Sequence, residues 1–297
     1  MAKPILLPVG TIGYGPAAVK QLIELYSKIP YGGDVQLTFY KCEKLSHIAV
    51  AFLAGMRTAA RKGRQTSLTF LESSMVETMH EHLAANGLIT HQTGKSRRIP
   101  IRGDTIYCTR YVNKQTIKKD LETIWLADAW LQADAEVKAA LAGQVYELLD
   151  NALTHSGINE CFVCGHYYSK KNEMHLCIID FGIGIPNKVR AHWLEQNDVD
   201  EDVLNRAPDS VFLRWALQKG NTTMKGESRG LGLGLLEEFI RLNKGCVDIY
   251  SLSAQANISE SQTYTGLSEG FPGTMLNIVY KTDGLYYFME PGEEHPI

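Results

Sequence analysis

The sequence predicts a mixed α/β protein of two domains, which we place at residues 1–115 and 116–297. The length of 297 residues allows two hydrophobic cores of ordinary size. In the first domain, short apolar segments of the strand type alternate with segments of helical periodicity. A basic, glycine-containing stretch follows, and beyond it a long helix precedes a hairpin. This order favours an α/β sandwich, in which helices pack in layers on sheets.

The first domain alternates strands with helices and ends in an edge strand. Apolar residues recur every three or four positions in the helices and form short runs in the strands. We expect the third helix to begin at Ser73 or Ser74 and to end at Gly87. The predicted strands are KPILLPVG, DVQLTFYKC, QTSLTFLE and the edge strand IYCTRYV, and the predicted helices are GPAAVKQLIELYSKI, SHIAVAFLAGMRTAARKG and SSMVETMHEHLAANGLI.

The second domain begins with a long helix, from about Ala133 to Thr154. A hairpin follows, in which the polar turn SKKNE joins the strands CFVCGHYY and MHLCIID. We then expect a long irregular stretch with one helix, PDSVFLRWALQKG, and a glycine-rich segment that leads into another helix, GESRGLGLGLLEEFIRLNKG. The last predicted strands are CVDIYSLS and GTMLNIVYK.

Composition and charge argue against several classes of protein. The net charge of -3 and the pI of about 6.3 indicate no broad basic surface, so we expect no direct nucleic-acid binding. Proline and glycine interrupt the apolar N-terminus before the roughly 20 residues that span a bilayer, so we expect no membrane segment. The six cysteines lack the spacing of a secreted disulfide scaffold, which favours a cytoplasmic protein.

Cys161 and Cys164 form a CxxC pair. A zinc site would need a second pair of ligands, for which Cys177 and either His166 or His175 are available. The alternation in ECFVCGHYY is instead typical of a hairpin strand, and we favour that interpretation.

The segment GQVYELLDNALTHSG carries an unusual group of polar residues. Glu147 and Asn151 are four residues apart and Asp150 lies beside them, so a helix presents all three on one face. Gln144 and His155 fall on the same side. Such a face is most often simply solvated, but amide and carboxylate oxygens also suit Mg²⁺.

Two glycine-containing motifs follow this helix. In IIDFGIGIP, an apolar strand leads to Asp180 and to a turn with Gly182 and Gly184. An Asp at this point commonly binds the nearby backbone of a turn. In RGLGLGLLEEF, three glycines lead into a helix. Each glycine would lower the stability of the helix by about 1 kcal/mol if it lay in the helix interior.

The three glycines have two explanations. They allow close packing, or they leave bare backbone beside a ligand. Amides at a helix N-terminus bind phosphates, and a phosphate ligand would bring Mg²⁺. Asn151 could then bind the ion, and Glu147 could accept a proton from an attacking water or hydroxyl.

Four segments, 147–152, 180–186, 229–234 and 273–274, resemble in this order the four motif boxes of the GHKL or Bergerat-fold ATP-binding family. That family includes gyrase, Hsp90, histidine kinases, MutL and the anti-sigma-factor kinases. The resemblance covers about 130 residues and implies a layered α/β fold with ATP between helices and sheet.

The resemblance also implies a role for each motif. Glu147 would be the catalytic base, Asn151 would bind Mg²⁺, and Asp150 would complete the E-x-x-D-N box. Asp180 would accept a hydrogen bond from the adenine amino group, with Thr274 supporting this end. Gly182 and Gly184 would pass close to the adenine ring. The implied phosphate contacts are Lys225, Ser228, Arg229, Gly230, Leu231, Gly232, Leu233 and Gly234, next to a mobile lid at residues 187–229.

Within the family, the chain is most similar to the anti-sigma-factor kinases and to the histidine-kinase-like ATPase domain. We find no two-helix segment with a phosphoacceptor histidine, which precedes the ATP domain of sensor kinases. About 20 residues follow Thr274, too few for the transducer domain of gyrase, MutL or Hsp90.

Residues 34–70 resemble a STAS domain, the fold of the anti-sigma-factor antagonists, in their order of strands and helices. Those antagonists carry D-S-S-G at the start of a helix, and the second serine is phosphorylated. An ungapped match places Ser46, His47, Ile48 and Ala49 there, so Ile48 occupies the phosphoacceptor position. Ser46 could be a displaced acceptor or simply a helix N-cap.

We therefore expect a cytoplasmic Mg-ATP-binding regulatory switch that transfers a phosphoryl group slowly, either to a Ser or Thr of a partner protein or to water. It would be a GHKL-type ATPase or a protein serine/threonine kinase that acts with an unidentified regulatory protein. The resemblance also allows the protein to form a homodimer. The alternative is a non-catalytic nucleotide-sensing subunit of a stress-response or phage-defence complex. Glu147 favours turnover, since a pure binder needs no base.

Overall fold

Two β-sheets and their connecting helices give the chain a mixed α/β fold, as the sequence predicts. One sheet has three parallel strands, and the other has five strands and is antiparallel. The computed structural model describes residues 3–89, 104–115, 117–121, 125–127, 130–155, 157–196, 200–218, 220–221 and 234–290.

The three-stranded sheet is built from strands that follow one another in the chain, in the order β1-β2-β3. Parallel neighbours need a crossover, and a helix supplies each one. The elements are β1 (Ile5–Ile12), α1 (Pro16–Ser27), β2 (Gly33–Leu45), α2 (His47–Arg64), β3 (Thr66–Phe70) and α3 (Glu77–Ala85). All six correspond to predicted elements, and α3 ends just before Gly87, as expected.

Ser46 fixes the start of α2. Its side-chain oxygen accepts a hydrogen bond from the Ala49 amide at 3.4 Å, and its hydroxyl donates to the carbonyl oxygen of Gly13. The residue is buried. The interpretation of Ser46 as a helix N-cap is confirmed.

The predicted start of α3 at Ser73 or Ser74 is wrong. The helix begins at Glu77, and the two serines belong to a separate 3-10 turn. Ser74 does not cap a helix because its hydroxyl oxygen accepts from the Phe39 amide at 2.8 Å and its proton goes to the carbonyl oxygen of Leu71 at 2.5 Å. A tertiary contact with β2 thus replaces the local cap that the sequence suggests.

The five-stranded sheet has the strand order β4-β5-β6-β8-β7. Its strands are β4 (Thr105–Tyr111), β5 (Cys161–Tyr168), β6 (Glu173–Asp180), β7 (Cys246–Ile258) and β8 (Gln262–Lys281). The helices of this part of the chain are α4 (Ile117–Asp120), α5 (Ala135–His155), α6 (Ile185–Gln196), α7 (Glu201–Arg206), α8 (Asp209–Leu217) and α9 (Gly234–Leu242). The predicted hairpin of β5 and β6 and the edge position of β4 are confirmed. The expected place of β4 beside the strands of the first domain is wrong, because β4 pairs with β5 in this sheet and not with β1, β2 or β3.

β7 and β8 are longer than predicted. Their antiparallel pairing continues through residues 254–266 as a hairpin arm. The β8 side of this arm is largely exposed and shows no regular apolar alternation. Hydrophobic periodicity therefore does not predict it, and the pairing with β7 defines the strand instead.

The segment after β6 contains more helix than predicted. Instead of an irregular stretch with one helix, it forms α6, α7 and α8. Buried side chains from all three helices form a small core: Val189, Leu204, Phe212 and Ala216. Arg190 covers the Phe212 ring at 4.3 Å and pairs with Asp209 at 2.5 Å, and Asp209 accepts a hydrogen bond from Ser253 of β7. Residues 197–199, 219 and 222–229 of the expected lid lie outside the described residues.

The chain divides into two compact units. One comprises residues 1–110, 162–167 and 176–179, and the other comprises residues 111–161, 168–175 and 180–297. The domain boundary between residues 115 and 116 stays a prediction. Within the described ranges, no helix combines the length and the apolar character that a membrane crossing requires.

Gly245 precedes β7 at a point where a side chain has no room, because a Cβ would collide with the carbonyl oxygen of Val279 in β8. We expect Gly245→Ala to lower the free energy of unfolding by about 1–3 kcal/mol, the usual cost of overpacking. Urea denaturation followed by circular dichroism measures this change.

Gly143→Ala is the matched control. Gly143 is exposed in α5 and has open space around its Cβ position. Alanine should therefore raise the free energy of unfolding by roughly 0.5–1 kcal/mol through its higher helix propensity. A Gly245→Ala variant that is as stable as the wild type, or more stable, would contradict the close approach at Gly245.

Candidate functional site

The candidate site centres on Asp180, the last residue of β6, whose side chain is buried. One of its carboxylate oxygens accepts a hydrogen bond from the Gly182 amide at 2.8 Å, and the Thr274 amide of β8 donates another to the carboxylate. The first bond is the local turn that an Asp commonly forms, and the second is a tertiary contact. The structure thus joins three predicted site residues from two distant motifs.

Burial and hydrogen bonding compete at the carboxyl group of Asp180. Burial raises its pKa, while the bonds from Gly182 and Thr274 lower it. Burial has the larger effect, and the pKa is raised from 3.8 to about 7. Near neutral pH the carboxyl group is therefore partly protonated and partly ionised. A ligand that donates a hydrogen bond to it would favour the carboxylate.

β8 approaches Asp180 closely because Gly273 has no side chain. Gly273 has a φ of 135°, and a Cβ there would collide with the carbonyl oxygen of Asp180 and lie 2.7 Å from the Cα of Phe181. Gly184 makes a similar approach to β7, since with a φ of 79° its Cβ would lie 2.7 Å from the Cγ of Leu252. Both positions need glycine for conformation and for space.

Ser251 of β7 connects the segments around Asp180. Its buried hydroxyl accepts a hydrogen bond from the Ile185 amide at 2.9 Å and donates to the carbonyl oxygen of Gly273 at 3.2 Å. The hydroxyl oxygen of Thr274 lies 3.0 Å away. Sequence reasoning missed Ser251, although a serine inside an apolar run of a strand is a signal that could have found it.

Helix α5 carries the second group of predicted residues. Its apolar side is buried through Val137, Leu141, Val145, Leu148 and Leu149. Glu147, Asp150 and Asn151 lie on the opposite side of the helix and are half-buried. Since they are three and four residues apart, their side chains share one surface. We call it the α5 surface.

Lys114, just after β4, reaches the α5 surface. Its ammonium group lies 2.5 Å from a carboxylate oxygen of Asp150, and the two side chains are 48% and 23% exposed. The ion pair offsets a negative charge beside Glu147 and Asn151. Sequence reasoning missed Lys114, because no local pattern connects it with a residue so far along the chain.

Helix α5 also positions the start of α9. The side-chain oxygen of Gln144 accepts a hydrogen bond from the Leu236 amide. That amide belongs to the first turn of α9, where amides have no carbonyl partner within the helix. Gly234 begins α9. The other predicted phosphate contacts lie outside the described residues: Lys225, Ser228, Arg229, Gly230, Leu231, Gly232 and Leu233.

Residues 286–289, which we call the strap, tie α5 to α9. Asp134 caps α5 through one carboxylate oxygen, and its other oxygen accepts from the Met289 amide at 3.1 Å. The carbonyl oxygen of Tyr287 accepts from the Asp134 amide at 3.0 Å. The hydroxyl of Tyr287 accepts from the side chain of Asn243, just after α9, at 3.0 Å.

The two groups of residues offer different chemistry. Asp180 presents a buried acceptor, which suits a ligand with an amino group. The α5 surface presents amide and carboxylate oxygens, which suit a hard divalent cation such as Mg²⁺. In the described ranges, no group of three or more His, Cys, Asp or Glu side chains could hold a metal ion.

Comparisons of the chain with protein-family models, curated proteins and solved structures find no significant match. Function is therefore proposed from the sequence motifs and the geometry of the site.

Asp180→Asn tests the competition between burial and hydrogen bonding at this carboxyl group. The pKa of Asp180 is about 7 in the folded protein and 3.8 in the unfolded chain, so protonation of its carboxyl group favours the folded state. This stabilisation is complete below about pH 4 and is lost as the pH rises through 7. Relative to Asp180→Asn, the wild type should therefore lose roughly 3 kcal/mol of stability between about pH 5 and pH 8.

Chemical denaturation at a series of pH values measures the difference between the two proteins. Asp202→Asn, at a side chain that is 80% exposed, is the control for the substitution itself. A difference between wild type and Asp180→Asn that stays constant with pH would show that Asp180 does not titrate in a buried environment.

Proposed function

We propose that this protein is a Mg²⁺-dependent ATP-binding switch of the Bergerat-fold type, which transfers a phosphoryl group slowly to a Ser or Thr of a partner protein or to water. One observation carries the proposal, namely the arrangement at Asp180. Its buried carboxylate ends an apolar strand, accepts bonds from Gly182 and Thr274, and is approached closely by Gly273. These residues come from the two motifs that the family resemblance assigns to the adenine end.

Asp180 would select adenine through its amino group. A carboxylate can accept about four hydrogen bonds, so the two amide donors leave capacity for a ligand. A bond from the amino group would favour the ionised form and offset the effect of burial on the pKa. Gly184 and Gly273 let β7 and β8 pack directly against the segment around Asp180, which holds this acceptor in place.

The α5 surface supports the phosphate end of the site. Asn151 would hold Mg²⁺ through its amide oxygen, and Glu147, one turn earlier, would accept the proton of the attacking hydroxyl or water. Bound Mg²⁺ would neutralise part of the negative charge on the phosphate oxygens. The ion pair of Lys114 with Asp150 reduces the repulsion that the phosphates would meet.

The start of α9 supports binding of the phosphates themselves. Its first amides lack helical partners and carry partial positive charge. Gln144 fixes this helix start relative to Glu147, because both residues lie on α5. The proposed phosphate contacts are Lys225, Ser228, Arg229, Gly230, Leu231, Gly232, Leu233 and Gly234.

The first domain is proposed to be a STAS-like module that connects the switch to its regulatory partner in the cytoplasm. The order of β1, β2 and β3, with a helix after each strand, supports this proposal. Ser46 is buried and already bonded at the start of α2. Its phosphorylation would therefore require local opening of that helix start.

A second candidate is a non-catalytic nucleotide-sensing subunit of a stress-response or phage-defence complex. Such a subunit would need Asp180 and the start of α9, but it would need no base. Glu147 lies half-buried beside the proposed Mg²⁺ ligand Asn151, which favours turnover. The two candidates differ in whether the γ-phosphoryl group leaves ATP.

Asp180→Asn and Gly273→Ala should each weaken ATP binding about tenfold or more, the first by removing a charged acceptor and the second by displacing the backbone of Asp180. Calorimetric titration with Mg²⁺ and a non-hydrolysable ATP analogue measures the affinity. Gly284→Ala is the matched control, since Gly284 also has a positive φ, of 74°, but has open space around its Cβ position. Unchanged affinity in a folded Asp180→Asn variant would rule out the adenine assignment.

Glu147→Gln should bind ATP as tightly as the wild type and move the γ-phosphoryl group at least about a hundredfold more slowly, because it lacks the base. Incubation with γ-labelled ATP and Mg²⁺ measures the rate, with free phosphate and protein-bound phosphate followed separately. Glu136→Gln, at an exposed residue in the first turn of the same helix, should behave as the wild type.

The destination of the label separates the remaining possibilities. Label on a protein from added cell extract identifies a kinase, and label in free phosphate identifies a hydrolase. If the wild type binds nucleotide and moves no label under either condition, the sensor function replaces the enzymatic one.

A further inference from the structure

Ser251 is completely buried, and its hydroxyl meets three polar groups from two segments of the site, the start of α6 and β8. The Ile185 amide at the start of α6 donates to it at 2.9 Å, and its own proton goes to the carbonyl oxygen of Gly273 at 3.2 Å. The third group is the hydroxyl of Thr274, at 3.0 Å. These three contacts use the whole capacity of a hydroxyl, which has one proton and two lone pairs.

This arrangement fixes the direction of the Thr274 hydroxyl. An amide can only donate and a carbonyl oxygen can only accept, so Ile185 uses one lone pair of Ser251 and Gly273 receives its proton. The other lone pair is left for the proton of Thr274. Thr274 then has no proton to offer a ligand and presents only lone pairs.

We propose that Ser251 is a positioning residue that selects the nucleobase by acting through Thr274, an inference that rests on the proposed ATP-binding function. Thr274 lies beside Asp180, because its amide donates to that carboxylate. With its proton directed at Ser251, Thr274 joins Asp180 as a second acceptor at this end of the site. Two neighbouring acceptors favour the amino group of adenine and disfavour a carbonyl oxygen at the same ring position.

The backbone beside Ser251 shows that β7 is constrained at this point. Leu252 has a φ of 50°, in the left-handed region that residues other than glycine rarely adopt. Its side chain packs against Gly184, and the β7–β8 register shifts on both sides of it. The strand thus departs from regular geometry where Ser251 lies between α6 and β8.

The test compares the affinities for ATP and for inosine triphosphate, which carries a carbonyl oxygen in place of the adenine amino group. The wild type should prefer ATP. Ser251→Ala should reduce the ratio of the two affinities about tenfold, because Thr274 regains a proton that can bind the carbonyl oxygen. Thr274→Val should reduce the ratio to a similar extent. The double variant should lose no more than Thr274→Val alone, since Ser251 acts through Thr274.

Ser253→Ala is the matched control. Ser253 lies two residues further along β7, and its hydroxyl donates to Asp209 at 2.6 Å, away from Asp180 and Thr274. Its replacement should lower stability and leave the ratio of affinities at the wild-type value. Ser251→Cys keeps the volume and a weak donor, and it replaces Ser251→Ala if that variant does not fold. The cysteine variant should give a ratio between those of wild type and Thr274→Val.

Equal losses of affinity for both nucleotides in Ser251→Ala would reduce Ser251 to a structural role and overturn the inference, while the ATP-binding function would stand. Losses that add in the double variant would overturn it as well. A wild type that binds neither nucleotide would remove the proposed function itself, and the inference with it.

Discussion

Gly273 lets the backbone of β8 come so close to the end of β6 that a methyl group would not fit between them. The approach brings the Thr274 amide to the carboxylate of Asp180 and helps to bury that group, which raises its pKa. The same segment of β8 then lies within reach of Ser251, whose hydroxyl binds both Gly273 and the start of α6. A single missing side chain thus sets the geometry, the charge state and the packing of this end of the site.

Helices α5 and α9 depend on tertiary bonds for their relative positions. Gln144 binds the first turn of α9, and the strap joins Asp134 to Asn243 beyond the other end of α9. Each such bond contributes about 1 kcal/mol, and several together define one arrangement of the two helices. The half-exposed pair of Lys114 with Asp150 adds little stability, so its main effect is on the local electrostatic potential.

Hydrophobic periodicity predicted most elements of the chain, because long apolar repeats specify helices and strands locally. It failed where a distant residue decides the structure. Ser74 has the sequence context of a helix cap, but its hydroxyl binds Phe39 of β2. The hairpin arm of β7 and β8 is defined by pairing, and α6 and α7 are stabilised by a small core that only the folded segment creates.

The same distinction holds for the site. Motifs of a few residues indicated Asp180, Gly182, Thr274 and Glu147, since their spacing in the chain is itself the signal. Ser251 and Lys114 act through contacts with residues far away in the sequence. A serine inside an apolar strand is a weak signal for Ser251, and no local pattern indicates Lys114. The pKa of Asp180 could not be predicted either, because it depends on how completely the fold removes water from the carboxyl group.

The strap has a consequence for the order of events on the ribosome. During synthesis, Asp134 is made 155 residues before its partner Met289, and Gln144 is made 92 residues before its partner Leu236. The helix that carries Glu147 is therefore made long before the contacts that hold it and α9 in place. A nascent chain can form α5 early, but it acquires the complete arrangement only once Met289 has left the exit tunnel. Incomplete translation products would therefore carry the proposed base without the contacts that fix its helix relative to α9.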